Sequence, residues 1–197
     1  MEITAYILLG VALTLIAAYL ANRFMSFTAQ TPNDYAGWGP DFDIRTHLRG
    51  PILCEGVIYG PTGRVTSRFT ADFDARWEGD KGVLTEVFTY DSGARRSRVW
   101  YLEVDANGAI TAEAPDVVGK GRGTQKGAGV QLTYDIRLPE ESGGHVLRAT
   151  DWMYLVGDGV IINRSQFRKY GIKVAELVAT MRPREAETSV GSKRDAA

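Results

Sequence analysis

Nucleophilic catalysis needs a serine or cysteine beside a base, and this chain offers few bases. Its only histidines are His47 and His145, and its only cysteine is Cys54. A Cys54–His47 pair is conceivable, because a thiol reacts as thiolate and a base helps to form it. A small apolar cysteine on a β-strand explains Cys54 with less. No close His, Cys and carboxylate set has metal-ligand spacing, so neither a metal nor a cofactor is expected. The glycine-rich stretch 119–127 carries Lys120, Arg122 and Lys126. It lacks the spacing of a dinucleotide or phosphate loop. It reads as a bent, solvated strand and turn, or as a contact for a lipid phosphate. With no nucleophile, base or metal set in view, the chain is expected not to be an enzyme.

The remaining polar chemistry belongs to strands. Asp91-Ser92-Gly93 suits a three-residue turn with Gly93 in the left-handed region. That turn pairs residues whose numbers share one sum: Tyr90 with Ala94, Phe88 with Arg96, Glu86 with Arg98, Leu84 with Trp100. If this face is interior, Glu86 and Arg98 form an ion pair inside. If it is exterior, they form an ordinary exposed pair worth little. Asp158-Gly159 is a two-residue hairpin candidate. Its register sets Tyr154 opposite Asn163 and Met153 opposite Arg164. Trp152 and Tyr154 then share a face with Asn163, and Met153, Leu155 and Ile162 share the other. Both faces are partly apolar, so a second segment, a membrane or a ligand must cover one of them. In 64–77 the alternation is clean, with Phe69, Phe73 and Trp77 inward and Arg68 outward.

The elements that hold these residues begin with an uncharged apolar run over 3–20, roughly 27 Å long as a helix, which suits a membrane span. No basic residue precedes it and no small-x-small site follows it, which favours a retained anchor over a cleaved signal. Arg23, Arg45 and Arg49 follow it, which by the positive-inside rule would keep the body cytoplasmic. A long folded domain is translocated regardless, so the side stays open. The whole chain has 23 basic and 24 acidic side chains for a net charge of −1, which argues against nucleic acid as partner. Strand-like runs are predicted over 52–59, 64–77, 82–90, 94–104, 110–118, 130–138, 145–156, 160–168 and 172–181, with a further short one inside 119–129. Joined by short turns, they describe an all-β antiparallel up-and-down meander that closes into a lipocalin-like barrel. The expected organisation is an anchor over 1–22, a linker over 23–41, a barrel over 42–182 and a disordered tail over 183–197.

The segments Gly63-Arg64-Val65-Thr66-Ser67-Arg68-Phe69, Tyr90-Asp91-Ser92-Gly93, Asp116-Val117-Val118-Gly119, Asp151-Trp152-Met153-Tyr154-Leu155 and Asn163-Arg164-Ser165 resemble the bacterial domain-of-unknown-function 3833 family. The resemblance covers about residues 42–182. It implies a lipocalin-like barrel in a proteobacterial cell envelope, often a lipoprotein, and, more weakly, company with fatty-acid modification. Here no cysteine ends the apolar run, so the helix itself replaces acylation. That points to the inner membrane, with the periplasmic side favoured slightly by the resemblance. The family implies no catalytic residue.

Two functions follow. In the first, the barrel binds or presents a lipid or fatty-acyl ligand. Phe69, Trp77, Phe88, Trp100, Trp152 and Tyr154 would line it, with Asp151 and Asn163 beside them. Glu86 with Arg98, or Arg68 with Arg164, would hold a polar head. In the second, a solid barrel docks on an integral-membrane enzyme through Met153, Leu155 and Ile162. A cavity of ~300 Å³ or more favours the first, and a filled core the second.

Overall fold

The computed structural model describes residues 2–184. Helix α1 spans Glu2–Phe24, and none of its side chains is buried. It is long and apolar enough to cross a membrane, a description that a signal sequence also meets. Two single 3₁₀ turns follow, Phe27–Ala29 and Pro32–Tyr35, and then the short helix α2, Ile44–His47. Asp43 caps α2, its carboxylate accepting from the Arg45 backbone N–H at 3.0 Å.

Ten strands make the barrel: β1 Gly50–Tyr59, β2 Val65–Glu78, β3 Lys81–Tyr90, β4 Arg95–Val104, β5 Ala109–Glu113, β6 Gly121–Lys126, β7 Gly129–Arg137, β8 Val146–Leu155, β9 Ile161–Lys169 and β10 Ile172–Pro183. Each pairs antiparallel with its neighbours in sequence, and β1 pairs with β10, so the sheet has no free edge. This is the all-β up-and-down barrel that the strand rhythm predicts. The run expected over 110–118 is shorter than predicted. Pro115 has no N–H to give to a ladder, so β5 stops at Glu113 and the chain arches over to β7. In β6 the glycines have a packing role: a Cβ on Gly123 would stand 2.2 Å from the Gln131 carbonyl oxygen.

The pairing of β3 with β4 is the expected one, including Glu86 opposite Arg98 and Leu84 opposite Trp100. The pairing of β8 with β9 differs by one residue. Val156 and Val160 close a loop of three residues, Gly157 to Gly159, with Asp158 at φ 58° and Gly159 at φ 70°. Met153 therefore faces Asn163, and Trp152 faces Arg164. A one-residue slip exchanges the faces of one strand relative to the other. Asp151, Met153 and Leu155 join Asn163 and Ser165 inside, while Trp152, Tyr154, Ile162 and Arg164 face out.

The two ends of the barrel differ. At one end Phe42, Ile44 and Leu48 are buried in the core and form a floor. Phe42 N–H donates to the Gly127 carbonyl at 2.7 Å, and Trp77 Nε1 donates to the Leu48 carbonyl at 2.8 Å. Arg45 reaches Asp80 in the β2–β3 turn at 2.8 Å. At the other end, between the turns 60–64, 91–94 and 170–171, the inward side chains Ile58, Phe88, Tyr90, Phe167 and Leu177 are only partly buried. That end is the mouth.

Residues 27–38, within the expected linker, lie as a strap on the outer wall. Phe27 is buried beneath the Arg164 guanidinium, 5.0 Å from its ring. Tyr35 meets Trp152 and Tyr154 edge-on, both at 5.3 Å. This strap is the second segment that a strand apolar on both faces requires, and beneath it Trp152 is completely buried. The tail predicted over 183–197 lies, from residue 185 on, outside the described residues.

Candidate functional site

The barrel encloses a cavity of about 120 Å³. Alternation places its wall: from β2 come Phe69 and Phe73, from β3 Leu84, Glu86 and Phe88, from β4 Arg98 and Trp100. Strands β7 to β10 add Leu132, Tyr134, Asp151, Met153, Asn163, Phe167 and Leu177, and β1 adds Cys54. Apolar groups occupy the floor and the mouth, and the polar groups form a belt at mid-height.

In that belt Arg98 bonds Asp116 at 2.6 Å and lies 5.4 Å from the Trp100 ring. Tyr134 hydroxyl donates to Asp151 Oδ2 at 3.0 Å, and its ring meets Trp100 edge-on at 5.1 Å. Ser165 stands opposite Asp151 in the ladder and donates to Asn163 Oδ1 at 3.3 Å, while Asn163 Nδ2 donates to the Trp152 carbonyl at 3.1 Å. Asp151 Oδ1 is shielded from solvent and has no partner among the described residues.

Burial dominates the protonation chemistry here. It pushes the Glu86 carboxyl up to about 7, against the opposing pull of the Arg98 charge and the Trp100 indole. It also raises the Asp151 carboxyl, although the Ser165 and Tyr134 hydroxyls oppose it. The Cys54 thiol is pushed up to about 12 by burial and then by Glu86, which makes it an unreactive core thiol. His47 sits on α2 with Nδ1 2.9 Å from the Asp43 carbonyl, and no hydrogen bond joins it to Cys54 among the described residues. No group of three or more metal-ligating side chains occurs among the described residues.

Of the twelve residues singled out from sequence, seven line the cavity: Phe69, Glu86, Phe88, Arg98, Trp100, Asp151 and Asn163. Trp77 is inward but belongs to the packed floor. Four lie on the outer face of the barrel. Trp152 and Tyr154 face out because of the three-residue turn, and Tyr154 hydroxyl donates to Gln30 at 2.7 Å. Arg164 lies outside, bonded to Glu176 at 2.6 Å. Arg68 is exposed on the outer face of β2 and pairs with Asp91 at 3.2 Å. Neither arginine can hold a head group in the cavity.

The ion pair expected between Glu86 and Arg98 is also corrected. The two face each other, but Arg98 takes Asp116, which the 114–120 arch delivers: Arg137 N–H holds the Asp116 carbonyl, and Val118 N–H donates to Asp135. Tyr134 and Asp116 were missed. Tyr134 follows the inward alternation of Val130, Leu132 and Ile136, a legible signal. Asp116 lies in a non-periodic arch, where only the motif Asp116-Val117-Val118-Gly119 of the family resemblance marks it. The outer contact surface expected of Met153, Leu155 and Ile162 does not form, since the first two point inward.

A closed up-and-down barrel with a narrow apolar cavity and a buried polar belt defines the class of this molecule. The chain belongs to the family described as protein of unknown function (DUF3833), whose model matches residues 21–183. No curated protein matches the sequence. Among solved structures the barrel is similar to that of the S-type phycobiliprotein lyase CPES from Guillardia theta. The two share 8% identity at a TM-score of 0.51, covering 72% of this chain and 90% of that one. At that identity the likeness shows the fold alone. It does correct the expectation of a non-enzyme: a phycobiliprotein lyase carries a barrel of this fold, so the lack of a familiar catalytic set in the sequence excludes nothing.

Proposed function

We propose that this protein is a membrane-anchored barrel that binds one compact apolar group, such as a short acyl segment, in its interior. The observation that carries the reading is the cavity itself, apolar at floor and mouth and closed to water-exposed edges all round. Its volume of about 120 Å³ is below the ~300 Å³ at which drug-sized sites begin, so the cavity does not reach the size first expected of a carrier. It is close to the ~150 Å³ of an apolar cavity that accepts a single benzene-sized molecule. The ligand that fits is a narrow chain or one ring. The phycobiliprotein lyase offers a precedent for the fold alone.

Helix α1 would hold the barrel at the bacterial inner membrane, on the periplasmic side if the family resemblance guides the choice. The link to fatty-acid modification belongs to this same reading. The alternative, docking on an integral-membrane enzyme, loses the surface that motivated it. Native mass spectrometry of the full-length chain, released from its host membrane in a gentle detergent, tests the proposal. An adduct of acyl type near one per chain, lost when Phe88→Trp fills the cavity, is expected. Apo masses for host-purified protein, together with no uptake of added short-chain ligands, would overturn it.

A further inference from the structure

The belt inside the barrel is unevenly matched, and this deepens the ligand-binding reading on which it rests. Its donors already have acceptors within the protein. Tyr134 hydroxyl gives to Asp151 Oδ2, Ser165 gives to Asn163, Asn163 gives to the Trp152 carbonyl and Arg98 gives to Asp116. What is left over is acceptor capacity. Two buried carboxylate oxygens, Asp116 Oδ1 and Asp151 Oδ1, have no partner among the described residues, and of these two residues Asp151 lines the cavity; the Glu86 carboxyl forms no ion pair among the described residues although Arg98 is its ladder partner. Three acids, Glu86, Asp116 and Asp151, surround one cation, Arg98.

A carboxylate head would bring a fourth acid to that single cation, in a site where burial already penalises charge. A head that donates a hydrogen bond would instead satisfy the orphaned oxygen of Asp151, and a buried acceptor left without a donor is costly. We propose that the cavity selects apolar molecules ending in a hydroxyl group, which donates to Asp151 Oδ1, and rejects the matching carboxylates. The hydroxyl lies at mid-height beside Glu86, and the apolar part lies against Phe69, Phe88 and Leu177 toward the mouth. This replaces the expectation that Glu86 with Arg98 holds the polar head.

The methionines give a direct readout. Met153 and Met181 line the cavity, whereas Met25 is fully outside it, so methyl-labelled methionine in the full-length chain held in amphipol separates cavity filling from partition into amphiphile. Three probes of similar size are titrated: hexan-1-ol, 1-methoxypentane, which accepts but cannot donate, and hexanoate at about pH 8, where it is ionised. The expected result is a shift of the Met153 and Met181 methyls, with Met25 unmoved. Hexan-1-ol should bind about tenfold or more tighter than the other two, as the cost of leaving a buried acceptor without a donor implies. Asp151→Asn keeps an acceptor for Tyr134 and should bring the alcohol and ether within about threefold. If the ether or hexanoate binds as well as hexan-1-ol, the hydroxyl selectivity is wrong while the cavity reading stands. If no probe moves Met153 or Met181, the cavity reading itself falls, and the selectivity with it.

Discussion

At the scale of single residues, Glu86 is the group through which pH acts on this fold. Its ordinary carboxyl range lies near 4.5, and burial lifts it to about 7 in the folded chain. Between those values the folded state holds the proton more strongly than the unfolded state, so stability falls as pH rises through that window. The full cost is present above about pH 7 and absent below about pH 4.5, and it is on the order of a few kcal/mol at most. Asp151, also raised by burial, acts in the same direction. Glu86→Gln removes the charge and keeps the shape. It should raise the thermal midpoint clearly at about pH 8 and hardly at all at about pH 5. Equal gains at both pH values in calorimetry would mean that Glu86 is not held as a buried acid. Arg98 is expected to behave in the opposite sense: Asp116→Ala leaves a half-buried guanidinium without its 2.6 Å partner, and should cost about 1–3 kcal/mol in urea unfolding.

At the scale of elements, the strap over 27–38 makes a two-sided strand possible. Trp152 is completely buried on the outer wall only because Tyr35 and its neighbours cover it. The fit is close: a Cβ on Gly127, at φ 53°, would come within 1.8 Å of the Tyr35 carbonyl oxygen. Gly127→Ala should therefore lift the strap, redden the emission of Trp152 and destabilise more than Tyr35→Ala, which removes one edge contact worth about 1 kcal/mol and its packing. Gly93→Ala, at φ 83° with open space around it, should cost about 1 kcal/mol and leave the emission alone. A reversed ranking in fluorescence-monitored unfolding would show that the strap is not held at Gly127. The same element shows what the sequence could and could not disclose. Alternation in β2 and the Asp91-Ser92-Gly93 turn carry their register locally, so Phe69, Glu86, Phe88, Arg98 and Trp100 were legible as inward residues. The loop at Gly157 to Gly159 has two left-handed positions in either length, and only tertiary packing selects three residues over two. That single choice moved Trp152 and Tyr154 outside. The place of Asp116 in the belt was illegible for a different reason, because it depends on an arch that Pro115 starts and β7 receives.

At the scale of the whole molecule, the chain meets the barrel on its outer wall over Arg164, three residues along β9 from its floor end and five from its mouth end. Two residues separate Phe24, the last of α1, from Phe27 on the outer wall, a reach of roughly 10 Å at most. The strap then leads down to the floor built from Phe42, Ile44 and Leu48. The mouth lies at the far ends of strands such as β3 and β4, roughly 20–25 Å higher once strand tilt is counted. If α1 spans the membrane, the floor is held near the bilayer and the mouth opens into the aqueous phase. Ligand would then be exchanged with something on the water side rather than drawn straight from the lipid. Fluorophores at Asn107→Cys, in the floor turn, and Ser92→Cys, in the mouth turn, read this directly in vesicles containing headgroup nitroxide lipids. Cys54 does not interfere, because its buried thiol is pushed up to about 12. Strong quenching at position 107 and little at position 92 is the expected pattern. Equal quenching at both would lay the barrel on its side, with the mouth at the membrane surface, and would make the bilayer itself the source of the ligand.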